Sequence, residues 1–118
     1  MTIAAKRSKF NVRTDAMGKL RRTLDGVLYD SAAERDYAAR LELEHKTGRI
    51  KAWHRQSTIH LEVNEVIVCK IVADFLVIHN DKSYEYIEVK GHETALWKLK
   101  YKLLKALYPR TRYTVVHV

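Results

Sequence analysis

The sequence has few of the residues that cross-link or interrupt a small fold. Its 118 residues include one cysteine, one proline and four glycines. The single cysteine, Cys69, excludes an intramolecular disulfide and a multi-cysteine zinc site, and the six histidines are too scattered to suggest one. No apolar run approaches the ~20 residues that span a bilayer, and the first residues lack the apolar core of a secretory signal. We therefore expect a soluble, intracellular protein with one compact domain.

Acidic residues are few relative to basic ones. The chain has 22 Lys and Arg against 14 Asp and Glu, a formal charge of +8, which favours an anionic partner with nucleic acid as the first candidate. Residues 1–22 are especially basic, ending in Arg21 and Arg22, with Asp15 as the single acid. This segment is interpreted either as a disordered tail or as a nucleic-acid-binding arm, and residues 23–118 as the folded domain.

One strand in the middle of the chain carries a charge that a plain core strand would not. Ile71–Ile78 is nearly all apolar but contains Asp74, and Tyr84–Lys90 follows after a polar turn, which predicts an antiparallel hairpin. If an odd number of residues closes the turn, Asp74 falls directly opposite Glu88. Because facing like charges destabilise a sheet, the pair favours a divalent cation between the two carboxylates.

Lys90 would stand one pleat beyond Glu88 on the same face, close enough to hold a water or a phosphate oxygen. The alternative is that these three charges form a salt-bridge ladder on a solvated face. The buried interpretation is favoured because regular alternation gives the face of Asp74 three apolar residues, namely Val72, Leu76 and Ile78.

Two helices are predicted around these strands. The first begins after Ser31 as N-cap, runs to about Thr47 and ends at Gly48. Glu34 completes a capping box with Ser31, and it also lies at the end of an apolar stripe that reaches His45, so a structural and a functional role both stay open.

The second helix runs from Thr94 to Leu107 and is stopped by Pro109. Its outer face, which includes Lys98 and Lys100, is either simply solvated or tracks phosphates. A last strand, Tyr113–Val118, is expected to cross over and lie parallel to the Lys90 strand. The predicted buried stripe of the helix consists of leucines, namely Leu96, Leu99, Leu103, Leu104 and Leu107.

The remaining predictions concern turns. Asp25-Gly26 predicts a short hairpin, and Asn64-Glu65 predicts a two-residue turn between strands Ser57–Val63 and Val66–Lys70, the second of which can run on towards Asp74. Gln56, just before these strands, is interpreted as a turn or edge-strand amide.

The ordered set of Glu34, then Ala73-Asp74, then Glu88-Val89-Lys90 resembles the PD-(D/E)XK nuclease superfamily, with Ala73 in place of the proline that gives the superfamily its name. The runs Y-D-S-A-A-E, H-R-Q, E-V-K-G and W-K-L-K-Y-K-L-L-K-A-L-Y look like a family of small phage-encoded nuclease-like proteins. In size and basicity the chain is similar to archaeal-type Holliday junction resolvases.

This resemblance implies an α/β fold with a restriction-endonuclease-like core, in which a mixed central sheet is flanked by two helices in the order α-β-β-β-α-β. It implies a Mg²⁺ site, with Mn²⁺ as a substitute, held by Asp74, Glu88, the Val89 carbonyl and Glu34, with Lys90 orienting the nucleophile. The remaining residues expected at the site are the DNA-binding Lys98, Lys100, Arg21 and Arg22 and the accessory Gln56.

The implied activity is structure-selective cleavage of branched or duplex DNA, as by a homodimeric Holliday junction resolvase acting in DNA recombination in the cytoplasm of a bacterial host. A flap or nicking nuclease without junction preference is a less specific version. A non-catalytic nucleic-acid-binding protein with a relic site is the alternative from another class, and an RNA-binding protein is a third.

Overall fold

The structure is a computed structural model that describes residues 15–118. The chain divides into two compact units, one ending at Leu43 and one spanning Glu44–Val118. Among the described residues no helix is long and apolar enough to cross a membrane. In chain order the elements are α1 (Ala16–Arg21), β1 (Thr23–Leu24), β2 (Val27–Leu28), α2 (Ala32–Lys46), β3 (Ala52–Val63), β4 (Val66–Ile78), β5 (Tyr84–Lys90), α3 (Ala95–Leu107) and β6 (Tyr113–His117).

The predicted basic arm is only partly within the described residues. Residues 1–14 lie outside them, and the rest of the arm contains α1, which begins where the Asp15 carboxylate accepts a hydrogen bond from the Gly18 N–H at 2.9 Å. The arm is therefore helical at its end, although its sequence showed little apolar periodicity. The domain boundary between residues 22 and 23 stays a prediction.

The hairpin predicted at Asp25-Gly26 is confirmed. Thr23 pairs with Leu28 across β1 and β2. The two turn residues have φ of +50° and +79°, the left-handed conformation that a two-residue turn of this kind requires.

Helix α2 begins and ends as predicted. The Ser31 hydroxyl accepts a hydrogen bond from the Glu34 N–H at 3.0 Å, and Gly48 ends the helix with φ +76°. The apolar stripe is correct at its first end, since Glu34 and Leu41 are buried. The prediction is wrong for the last turn of the helix, where His45 is exposed together with Lys46.

A four-stranded mixed sheet in the order β3-β4-β5-β6 forms the centre of the second unit. The pairs β3–β4 and β4–β5 are antiparallel, and β6 runs parallel to β5, which confirms the predicted order of elements and the crossover through α3. The turn Asn64-Glu65 is confirmed, with φ of +49° and +66°. Both strands that it joins are longer than the predicted pieces, and β4 runs on through Asp74.

Helix α3 packs on the sheet with a face that was predicted correctly at its C-terminal leucines and wrongly at its N-terminal ones. Trp97 and Leu104 are its buried residues, whereas Leu96 and Leu99 are 62% and 64% exposed. Trp97 and Tyr101 form an aromatic row that faces the sheet, because a tryptophan and a tyrosine bury more apolar area than two leucines. The core cluster on this side of the sheet consists of Leu61, Ile71, Ala73, Leu104 and Tyr113, with Leu103 and Leu107 packed against it.

The starts of β5 and β6 are joined by the buried carboxylate of Glu85. Its Oε1 lies 2.8 Å from His79 Nε2 and 3.5 Å from the Arg112 guanidinium, and its Oε2 accepts a 2.5 Å hydrogen bond from the Thr114 hydroxyl. Burial alone raises the pKa of Glu85, but the hydrogen bonds from Thr114 and His79 and the charge of Arg112 outweigh burial, so the net pKa lies below its ordinary value.

Glu85 should therefore make the fold sensitive to acid. A carboxyl whose pKa is lower in the folded than in the unfolded chain stabilises the fold above its unfolded pKa, and this contribution is lost as the pH falls through the folded pKa. We expect Glu85→Gln to flatten the loss of unfolding free energy as the pH falls below the ordinary carboxyl pKa of 4.5, measured by urea unfolding at a series of pH values. An unchanged pH dependence in this variant would contradict the assignment.

Candidate active site

The sheet is irregular at Asp74, where three strands lie side by side. On the β5 side the ladder confirms the predicted register, with Phe75 opposite Ile87, and it ends one position before Asp74 would face Glu88. Between β3 and β4 the pairing skips Gln56 and Asp74, which lie opposite each other. The backbone of Gln56 has a φ of +54°. The interpretation of Gln56 as an edge-strand amide is confirmed, because β3 is an edge strand of the sheet, and the alternative of a turn is wrong. Its side chain is exposed.

The direction of the side chains changes at this irregularity. Ala73 packs in the core cluster with Tyr113, whereas Phe75 pairs with Ile87. Tyr113 of β6 pairs with Tyr86 of β5, so the two side chains share one face of the sheet. Ile87, the next residue of β5, points to the opposite face. Ala73 and Phe75 therefore point to opposite faces, although regular alternation would put them on one.

This break corrects the prediction that the face of Asp74 is buried. Val72, predicted to lie inward, is 40% exposed, and Asp74 itself is half-buried. The buried residues of β4 point to one face of the sheet before Asp74 and to the opposite face after it. They are Ile71 and Ala73 before Asp74, and Phe75 and Val77 after it.

The Asp74 carboxylate takes over the hydrogen bond that the ladder would have supplied. Its Oδ2 accepts from the Val89 N–H at 2.8 Å. This bond joins the middle of β4 to the backbone between Glu88 and Lys90, so the three predicted charges belong to one local structure.

Glu88 is the most deeply buried acid at this position, with 7% of its surface exposed. Its Oε2 accepts hydrogen bonds from the Trp97 indole N–H at 2.5 Å and from the Tyr113 hydroxyl at 3.1 Å. Burial raises the pKa of Glu88, and the charge of Lys90 and the two hydrogen bonds only partly offset this. A further positive charge beside Glu88 would favour its ionised form.

Lys90 lies against the same tryptophan. Its Nζ is 4.8 Å from the centroid of the Trp97 ring, within the range of a cation–π interaction, and the side chain is half-buried. Trp97 therefore contacts both the carboxylate and the amine that the sequence had placed one pleat apart.

Tyr113 completes the cluster. Burial, followed by the negative charges of Glu88 and Asp74, raises the pKa of its phenol, so the hydroxyl stays protonated and can donate. Sequence reasoning missed Tyr113 and Trp97 as site residues. The available signals were that Tyr113 opens the strand expected beside Glu88, and that Trp97 starts an aromatic row on α3 with Tyr101.

The other predicted site residues are not all brought to this cluster. Lys98 is exposed on α3, and Lys100 is half-buried. Glu34, Arg21 and Arg22 belong to the other compact unit, and their parts in metal or DNA binding stay predictions.

The oxygen atoms gathered here are of the kind that hard cations prefer. Within residues 15–118 no group of three or more His, Cys, Asp or Glu side chains is placed to hold a metal ion. The available donors are the carboxylates of Asp74 and Glu88 and the Val89 carbonyl. Because Mg²⁺ commonly uses one or two carboxylates and keeps several waters, this donor set fits a largely hydrated Mg²⁺ ion.

Residues 17–118 match the model of a family described as protein of unknown function (DUF1064). No curated protein and no solved structure matches the chain. The matched range runs from within α1 to beyond β6, so it includes Asp74, Glu88, Lys90 and the residues that contact them. Since the range covers well over half of the 118 residues, the chain belongs to the DUF1064 family.

Proposed function

We propose that the protein is a Mg²⁺-dependent, structure-selective DNA endonuclease with a restriction-endonuclease-like core, and more specifically a Holliday junction resolvase. The observation that carries this proposal is the grouping of two carboxylates and an amine at the break in the sheet. Asp74 is fixed to the Val89 N–H at 2.8 Å, and Glu88 and Lys90 both contact Trp97. Metal-assisted phosphodiester hydrolysis can use such a combination, since negative groups hold a cation and a positive group meets the substrate phosphate.

The roles follow from these positions. Asp74, Glu88 and the Val89 carbonyl would hold Mg²⁺, which when bound supplies an activated water and offsets charge on the phosphate. The Lys90 amine would donate to the attacking water or to a non-bridging phosphate oxygen. The water oxygen forms a bond to phosphorus and gives up a proton to solvent, while the bond to one ester oxygen breaks and that oxygen takes a proton from solvent, which leaves one phosphate end and one hydroxyl end.

The DNA backbone would lie along the lysine row of α3. Lys98, Lys102 and Lys105 are exposed and recur at helical spacing on one side of the helix. Phosphate contacts of this kind position a duplex without reading its sequence, which favours recognition of a branched DNA shape. Two active sites are needed to cut two strands of a junction, so the proposal includes a homodimer.

Removal of these lysines should weaken binding in a salt-dependent way. Each lost phosphate contact lowers the slope of log K against log salt by about 0.9. We expect Lys98→Ala with Lys102→Ala to reduce the slope by up to about 2, measured by anisotropy of a labelled four-way junction in EDTA. Lys51→Ala, which removes an exposed lysine just before β3, is the control. Equal slopes for both proteins would remove α3 from the DNA interface.

A cleavage assay tests the proposed activity directly. The wild-type protein is incubated with a four-way junction, a flap, a nicked duplex and a linear duplex of equal length, in Mg²⁺, Mn²⁺ or EDTA. We expect cleavage of the junction in both metals, weaker cleavage of the linear duplex, and none in EDTA. Equal cleavage of all four substrates would reject the junction preference, and no strand breaks at any metal concentration would reject the enzyme.

One observation favours the non-catalytic alternative. Glu88 and Lys90 both have a partner within the protein, namely Trp97, so the cluster could be a stabilising relic in a nucleic-acid-binding protein. That reading predicts junction binding that is indifferent to Mg²⁺, and the same assay distinguishes it.

A further inference from the structure

We infer that Trp97 and Tyr113 are positioning residues of this site, which fix one oxygen of Glu88 so that the other meets the cation, and that Trp97 also places the Lys90 amine. The inference rests on the proposed function, because it assigns a purpose to contacts around the proposed metal ligand. Neither residue is one that the resemblance assigns to the site.

The two hydrogen bonds converge on a single atom. Trp97 donates from the first turn of α3 and Tyr113 from the start of β6, and both hydrogen bonds end on Oε2 of Glu88, at 2.5 Å and 3.1 Å. An indole N–H and a protonated phenol can serve here only as donors to the carboxylate. Rotation of the carboxylate would break one of these bonds, so Oε1 has a fixed direction as well.

The indole ring is itself held in place. The backbone N–H of Trp97 donates to the Thr94 hydroxyl at 3.1 Å, and the indole ring stacks on Tyr101 with centroids 5.1 Å apart. The Lys90 Nζ rests over the same ring at 4.8 Å. One rigid side chain thus sets the positions of the acid and the amine relative to each other, as a site for metal-assisted hydrolysis requires.

The consequence can be measured through metal affinity, without catalysis. Residues that hydrogen-bond a metal ligand change affinity by about 10-fold to 100-fold when they are removed. Tyr113→Phe deletes only the hydroxyl, and Trp97→Phe deletes the N–H and weakens the cation–π contact. We expect each variant to weaken Mn²⁺ binding by about 10-fold or more, measured by the electron paramagnetic resonance signal of free Mn²⁺.

Tyr86→Phe is the matched control, because it keeps the aromatic ring that stacks on Tyr113 and removes a hydroxyl that does not bond Glu88. Its Mn²⁺ affinity should equal that of the wild type. Under the inference, excess Mn²⁺ restores part of the single-turnover cleavage rate of Tyr113→Phe, which a damaged fold would not allow. If Trp97→Phe fails to fold, shown by loss of its circular dichroism spectrum, Tyr113→Phe alone decides the inference.

The outcomes separate this inference from the proposed function. Unchanged Mn²⁺ affinity in Tyr113→Phe, together with cleavage by the wild type, would overturn the positioning role alone. Weakened Mn²⁺ affinity in the variant without cleavage by the wild type would overturn the nuclease and leave a metal site with these positioning residues. No Mn²⁺ binding to the wild type would overturn both.

Discussion

Replacement of Asp74 by asparagine is expected to reduce the rate of junction cleavage by at least about 10²-fold and to leave junction binding nearly unchanged. The amide has the shape of the carboxylate and keeps an oxygen for the Val89 N–H, which Asp74 engages at 2.8 Å. It lacks the negative charge that the cation needs. Lys90→Met should behave similarly, because it keeps an apolar stem on Trp97 and loses the amine.

The measurement is single-turnover cleavage of a labelled four-way junction in Mg²⁺, with binding followed separately in EDTA. Glu65→Gln removes an acid from the exposed β3–β4 turn and should cleave at the wild-type rate. Thermal unfolding of each variant decides between catalysis and structure. If Asp74→Asn and Lys90→Met both unfold at markedly lower temperature, the three charges act as a stabilising ladder, and the catalytic assignment is lost.

The second large effect concerns stability and the rotation of α3. Leu104 is fully buried in the core cluster, so Leu104→Ala should lower the free energy of unfolding by about 2–5 kcal/mol, through lost burial and the cavity left behind. Leu99 lies on the same helix but is 64% exposed. Leu99→Ala should change the free energy of unfolding by no more than about 0.5 kcal/mol.

Urea unfolding of the two variants side by side gives both values, with the same chemical change at each position. The pair is informative because the leucine spacing alone assigns both residues to the buried stripe. Comparable destabilisation by the two substitutions would mean that α3 presents its leucine row, and not the Trp97 row, to a packed surface.

Much of the backbone could be predicted because it depends on neighbours in the sequence. Ser31 and Gly48 set the ends of α2 through bonds and torsions within a few residues, and Asp25-Gly26 adopts the torsions that its turn needs. The register between β4 and β5 depends on the number of residues in one turn, and the assumption of an odd number gave the observed pairing of Phe75 with Ile87, although the ladder ends before Asp74.

The predictions that failed depended on contacts distant in sequence. The face of Asp74 was inferred from regular alternation, and nothing in the β4 sequence shows that the alternation breaks opposite Gln56. The rotation of α3 was ambiguous because leucines and aromatic residues together cover more than half of the helix. Trp97 faces the sheet, where it hydrogen-bonds Glu88 on another element.

The placement of Trp97 also provides an optical probe. The chain has two tryptophans, and the other, Trp53, lies in β3 with its ring against Phe75. In a Trp53→Phe background, fluorescence excited at wavelengths that tyrosine does not absorb would come from the single indole that touches both Glu88 and Lys90. A change in its emission would report the arrival of an ion or a phosphate without any attached dye.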